Sequence, residues 1–289
     1  GLTMDHISKA LERTRAERTQ ARQSGDSPSV RNWVRPSPAN TRRESPVLGE
    51  IQKVALDPEH LESKHVMGSN HDDPIMLDRF RLLRTRLTQM MIPNGWHSVG
   101  ITSAGPKDGK TMTGINLAFS LARDASNRVF LVDADLRKPS VAPTLGLEPE
   151  LGTVDYLTGR AELGQTLVTA EHEPNLIILP GRPADPGVTV PELMNSPRMS
   201  ELFLQLLDID PNAIIVVDFP PILVGDDVLA LAPKLDATLL VIAEGQTDVD
   251  ELTTSAELLS EFNLLGTVLN KSTDKVKVSE GYYDYSDRE

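Results

Sequence analysis

Six short apolar runs lie between residues 97 and 273, at 98–102, 128–132, 175–180, 213–217, 238–243 and 264–269. Between them are stretches with apolar residues at three- and four-residue spacing, at 111 to about 124, 196–208, 223–232 and 248–261. Apolar runs without polar alternation read as strands buried on both faces. Their alternation with helices predicts a mostly parallel central sheet with helices on both faces, an α/β fold. A further helix is predicted over 75–91, with Ile75, Phe80, Leu83 and Leu87 on one buried face. Pro93, Asn94 and Gly95 should end it and turn the chain into the first strand.

The pattern is weaker upstream. Ile7, Ala10 and Leu11 behind a capping Asp5 predict a short charged helix to about residue 22. Its apolar stripe is thin, which fits a solvated helix or one that orders on a partner. Residues 24–40 are rich in Ser, Pro, Asn and Arg, a linker composition. Between 46 and 73 a few apolar residues (Val47, Leu48, Ile51, Val54, Leu56) stand among many breakers, so weak or partner-dependent structure is expected. The expected division is an N-terminal helix and flexible linker region over 1–74, a folded domain over 75–273 and a tail over 274–289.

Composition narrows this only a little. The 289 residues are 39% hydrophobic and 25% charged, a soluble globular balance with some irregular sequence. There is no cysteine, which excludes disulfides, thiolate metal sites and a thiol nucleophile. No run of 18 apolar residues is present and no secretory pattern opens the chain, so a cytoplasmic location is expected. The net charge of −13 gives no reason to expect a nucleic-acid partner. Residues 1–50 carry nine Lys/Arg against six Asp/Glu, so this end alone is mildly basic and has a weak attraction to anionic lipid.

The candidate chemistry sits at strand ends. Between the first strand and its helix lies Ala104-Gly105-Pro106-Lys107-Asp108-Gly109-Lys110-Thr111, followed by Met112. It resembles the phosphate-binding loop Gly-x-x-x-x-Gly-Lys-[Ser/Thr], with Ala104 in the place of the first glycine. Backbone N–H groups of such a loop curl around phosphate oxygens, and the helix behind presents its positive end to the anion. Lys110 reaches the outer phosphates and the Thr111 hydroxyl ligates Mg²⁺. Asp133 and Asp135 follow the second strand and Asp218 follows the fourth, where an open parallel sheet places its ligand. One such aspartate is cheaply explained as a loop cap. Three beside a phosphate loop supply the anionic oxygens that a nucleotide–Mg²⁺ complex and a phosphoryl acceptor need. Three of the four tyrosines, Tyr282, Tyr283 and Tyr285, fall in the last eight residues among acids; the fourth is Tyr156.

Taken together, these residues resemble the bacterial tyrosine kinases of capsular and exopolysaccharide export, a P-loop family. The likeness spans roughly 75–289. The loop from Pro106 to Thr111 looks like that family's Walker A motif. The segment with Asp133, Asp135, Arg137 and Pro139 looks like its Walker A′, and the run ending in Asp218 looks like its Walker B. Asp78, Arg81 and Arg84 resemble a Glu-x-x-Arg-x-x-Arg oligomerisation motif, with Asp for Glu.

The resemblance implies a P-loop NTPase fold, ATP and Mg²⁺ as cofactors, and autophosphorylation of Tyr282, Tyr283 and Tyr285. By it, Gly105, Pro106, Lys107, Asp108, Gly109, Lys110, Thr111 and Met112 bind nucleotide, although the Lys107 side chain is expected to face solvent. Lys110 stabilises the outer phosphates, and Thr111, Asp135 and Asp218 form the metal environment. Asp133 is the base or orienting group, and Asn270 is an adenine contact. It further implies a homo-oligomeric ring, a separate inner-membrane polysaccharide co-polymerase as activator, a cognate phosphotyrosine phosphatase and recruitment to the inner face of the plasma membrane. Two other readings stand beside it. A deviant-Walker switch ATPase of the partitioning type would carry a second lysine where this chain has Gly105. The other is a nucleotide-binding export regulator with weak kinase activity.

Overall fold

The computed structural model describes residues 51–68, 72–124 and 128–272. In chain order the elements are β1 (Gln52–Val54), α1 (Pro58–Ser63), α2 (Pro74–Asn94), β2 (Ser98–Ser103), α3 (Lys110–Ala122) and β3 (Val129–Asp133). Three short helices follow, α4 (Val141–Thr144), α5 (Thr153–Leu157) and α6 (Leu163–Thr166), then β4 (Val168–Ala170) and β5 (Glu173–Leu179). The chain continues through α7 (Val190–Asn195), α8 (Pro197–Ile209), β6 (Ile214–Asp218), α9 (Asp227–Leu231), β7 (Ala237–Ala243), α10 (Val249–Leu259) and β8 (Leu264–Asn270).

The eight strands form one sheet in the order β1-β4-β5-β3-β6-β2-β7-β8. Every pairing is parallel except β4 with β5. Strands β2, β3, β6 and β7 are buried along their whole length, as continuous apolar runs require when helices cover both faces. One core, with Phe130, Tyr156, Leu206 and Ile215, lies on one face; the other, with Leu87, Ile101, Phe119 and Val216, lies opposite. The expected α/β fold with a mostly parallel sheet is the fold found.

Local chemistry sets the helix ends. Asp73 caps α2 by accepting from Ile75 N at 2.9 Å, Pro74 stands at its start, and Gly95 closes it in the left-handed region at φ 60°. Asp248 and Glu251 form a reciprocal capping box on α10. Helix α3 has no side-chain cap, so its first amides are left for a ligand.

Three expectations are corrected. Residues 51–68 are not weakly structured. Strand β1 pairs with β4, and Leu61, Val66 and Met67 are buried in the core. Asn116 of α3 fastens them, accepting from Met67 N at 2.7 Å and donating to His65 O at 2.9 Å. A three-residue strand is stable only on a partner distant in sequence, so its own pattern does not announce it. In α2, Leu87 and Met91 are buried, and Phe80 and Leu83 are partly buried, but Ile75 in the first turn is 62% exposed. The helix expected over 223–232 begins only at Asp227; Leu223 and Val224 lie in an exposed turn after Pro220 and Pro221. Among the described residues no helix is long and apolar enough to cross a membrane. Residues 1–50 and the tail from 273 onward, with Tyr282, Tyr283 and Tyr285, lie outside the described residues.

If residues 51–68 belong to the core, truncating Met67 to Ala should destabilise the fold by about 2–5 kcal/mol. Urea unfolding of the full chain measures this, and a change within about 0.5 kcal/mol would return the segment to the surface.

Candidate active site

The central strands carry the site. Strand β6 lies between β3 and β2, and Asp133 of β3 is directly in register with Asp218 of β6. Strand β2 runs on the other side of β6 and leads into the phosphate loop. The backbone ties these ends together, with Ala134 N donating to Asp218 O at 2.9 Å and Ile222 N to Ser103 O at 2.8 Å. Lys110 and Asp218, 108 residues apart in sequence, thereby meet in space.

Lys110, the first residue of α3, is buried. Its Nζ lies 3.0 Å from Asp135 Oδ2 and 3.4 Å from Asp218 Oδ2, and it donates to Thr111 Oγ1 at 3.3 Å. Thr111 Oγ1 donates to Asp218 Oδ2 at 2.6 Å. Burial works to lower the lysine's pKa, but Asp218 and Asp135 outweigh it, so the ammonium is held above its ordinary value. Asp218 is fully buried and burial pushes its carboxyl up, against the pull of Lys110 and the Thr111 hydroxyl.

Asp133 is also fully buried. Its Oδ1 accepts from Asp135 N at 3.1 Å, and its Oδ2 accepts from Ser140 N and Val141 N at 3.0 Å each. These bonds hold the turn that carries Asp135. Burial, and then the neighbouring Asp218, push the Asp133 carboxyl up to about 7.

The loop has its own supports. Asp108 is buried and its Oδ2 accepts from Gly105 N at 3.0 Å. Pro106 and Lys107 are exposed, Lys107 with a left-handed backbone at φ 70°. Gly109 is also left-handed, at φ 98°, and Asn270 Nδ2 sits 1.9 Å from where a Cβ would stand, so only glycine fits. Met112 Sδ accepts from Asn116 Nδ2 at 3.1 Å. Asn270 Nδ2 donates to Asp108 O at 2.8 Å, so this side chain supports the loop, a contact the adenine expectation does not contain.

Asp78 and Arg81 form an exposed ion pair at 3.2 Å within α2, while Arg84 Nη1 donates to Ser120 O of α3 at 2.8 Å. Sequence reasoning missed three features. A Cβ on Gly181, just past β5, would stand 2.6 Å from Asp133 Cγ, so the glycine makes room for that carboxylate. Arg137 forks onto the buried Asp227, Nε to Oδ2 at 2.5 Å and Nη2 to Oδ1 at 3.1 Å, joining the turn after β3 to α9. Lys271 reaches the loop from beyond β8. Two of the three left a signal: Arg137 in the segment that resembles Walker A′, though not its pairing with Asp227, and Lys271 as a cation directly after the strand-end Asn270.

Among the described residues no group of three His, Cys, Asp or Glu side chains could hold a metal alone. The donor set fits Mg²⁺ of the kind that takes most of its oxygens from phosphates and water, with a hydroxyl and one or two carboxylates from the protein. Thr111, Asp135 and Asp218 are the residues present for that role.

A carboxyl raised from 3.8 to about 7 binds its proton more tightly folded than unfolded. Its contribution to stability therefore falls as pH rises from about 4 to about 7, by at most about 1.4 kcal/mol per pH unit, and is flat above. Without nucleotide or Mg²⁺, Asp133→Asn should gain on the unsubstituted chain by about 2 kcal/mol between pH 5 and 7.5 in urea unfolding. A difference that does not change with pH would mean that Asp133 keeps an ordinary carboxylate pKa.

The family model for the CobQ/CobB/MinD/ParA nucleotide binding domain matches residues 100–285. The tyrosine-protein kinase YwqD of Bacillus subtilis is 30% identical over 226 residues, covering 78% of this chain and 93% of that protein. The succinoglycan biosynthesis transport protein ExoP of Rhizobium meliloti is 31% identical over 201 residues, 68% of this chain but 25% of that longer protein. Among solved structures, the chimerical protein CapA2B2 superposes with a TM-score of 0.66 at 25% identity, covering 78% of this chain and 94% of that one. The chain belongs to the CobQ/CobB/MinD/ParA nucleotide-binding family and, within it, to the bacterial tyrosine-protein kinases.

Proposed function

We propose that the chain is an ATP- and Mg²⁺-dependent tyrosine autokinase that phosphorylates Tyr282, Tyr283 and Tyr285. The observation that carries this is the convergence of Lys110, Thr111, Asp135 and Asp218 on the mouth of the phosphate loop, with Asp133 behind them. The choice of acceptor rests on burial. Tyr156 is fully buried, with Arg198 stacked 4.8 Å from its ring centroid, so of the chain's four tyrosines only the three in the tail are candidates.

In the reaction the phenolic oxygen attacks the γ-phosphorus as the bond to the β–γ bridging oxygen breaks, and ADP leaves. Lys110 carries positive charge to the outer phosphates. Bound Mg²⁺ supplies further charge neutralisation at those oxygens. Asp133 takes the phenolic proton. A carboxyl near 7 suits that task at neutral pH, and its Oδ1 receives only one backbone N–H, which leaves a lone pair.

Asp78, Arg81 and Arg84 are proposed to join copies of the chain into a ring, so that one copy's tail serves another's site. The further partners are a separate inner-membrane co-polymerase as activator and a phosphotyrosine phosphatase, with recruitment to the inner face of the plasma membrane. The naming of ExoP for succinoglycan biosynthesis and transport supports a role in exopolysaccharide synthesis and export.

Incubation with ATP and Mg²⁺, followed by mass spectrometry, should find phosphate on the tail tyrosines. Lys110→Met should lower transfer by about 100-fold or more with the fold intact. ATP hydrolysis with no phosphotyrosine, alone or with an activator, would favour a switch ATPase. Changing both Arg81 and Arg84 to Ala should shrink the particle in light scattering. An unchanged mass would leave the first as an exposed intrahelical pair and the second as a bond to α3.

A further inference from the structure

The end of β8 grips the phosphate loop by two consecutive carbonyls. Lys271 Nζ donates to Lys107 O at 2.7 Å and to Gln246 Oε1 at 2.7 Å. Asn270 Nδ2 donates to Asp108 O at 2.8 Å. A trans peptide sets its C=O and N–H on opposite sides. Holding the Lys107 carbonyl therefore turns the Asp108 N–H away from β8, and holding the Asp108 carbonyl does the same for the Gly109 N–H. Among the described residues neither N–H has an acceptor. Both lysines have left-handed backbones, at φ 70° for Lys107 and 56° for Lys271, conformations uncommon outside glycine.

We propose that Lys271 is a positioning residue of the phosphate loop. Through the Lys107 carbonyl it keeps the loop's amides turned toward the bound phosphates, while Asn270 acts likewise one residue on. Gln246 aims the ammonium. The amides are then oriented before the nucleotide arrives, which lowers the ordering cost of binding. The inference rests on the loop being the nucleotide site. Its readout is affinity, so failure of tyrosine transfer would leave it standing.

The test is titration of a fluorescent ADP analogue with Mg²⁺ into the full chain. Lys271→Met should weaken binding by about tenfold, the weight of one charge-assisted hydrogen bond. The loss should persist from about 0.1 M to about 0.5 M salt, since it comes from orientation and not from unscreened charge. Lys271→Arg, which keeps a donor, should recover most of it. Unchanged affinity in the Met variant overturns the proposal, as does a loss that vanishes at high salt or an Arg variant as weak as Met. Should the Met variant fail to fold, Gln246→Leu at an exposed position takes its place: weakened binding supports the proposal and unchanged binding overturns it.

Discussion

A single buried ammonium faces three buried carboxylates at the centre of this molecule. Lys110 carries one positive charge, and Asp133, Asp135 and Asp218 carry up to three negative charges. Taking unbalanced charge out of water is costly, and burial accordingly raises the carboxyls of Asp133 and Asp218 above their ordinary range. A nucleotide arriving with a divalent cation changes that balance in two ways. In the proposed reaction its phosphates would compete for the lysine, and its metal would offer the acids a positive partner.

The surrounding structure keeps those charges in place. The sheet sets Asp133 beside Asp218, and three backbone amides hold the first of these. Asn116 and Arg84 pack residues 65–67 and α2 against α3, so the helix that bears Lys110 is fastened along its length. Gly181 and Gly109 contribute by what they lack: each leaves space that a neighbouring polar side chain fills.

Much of this was legible in the sequence for a physical reason. A strand buried on both faces must be apolar throughout, so β2, β3, β6 and β7 declare themselves, and the polar residues that end them mark the ligand edge. That is how Lys110, Thr111, Asp133, Asp135 and Asp218 could be picked out together. The parts that stayed hidden depend on contacts distant in sequence. Strand β1 has meaning only beside β4. The bond from the Asn270 amide to a loop carbonyl spans 162 residues, so no local pattern announces it. Ile75 fits the helical period but lies beyond the end of the core it was expected to join.

The strand order has one more consequence. Strands β1 and β8 are the two outer strands of the sheet. Seven interstrand spacings separate them, roughly 34 Å before twist is counted. The chain thus enters its sheet on one flank and leaves it on the other. The first and the last of the described residues stand a full sheet's width apart.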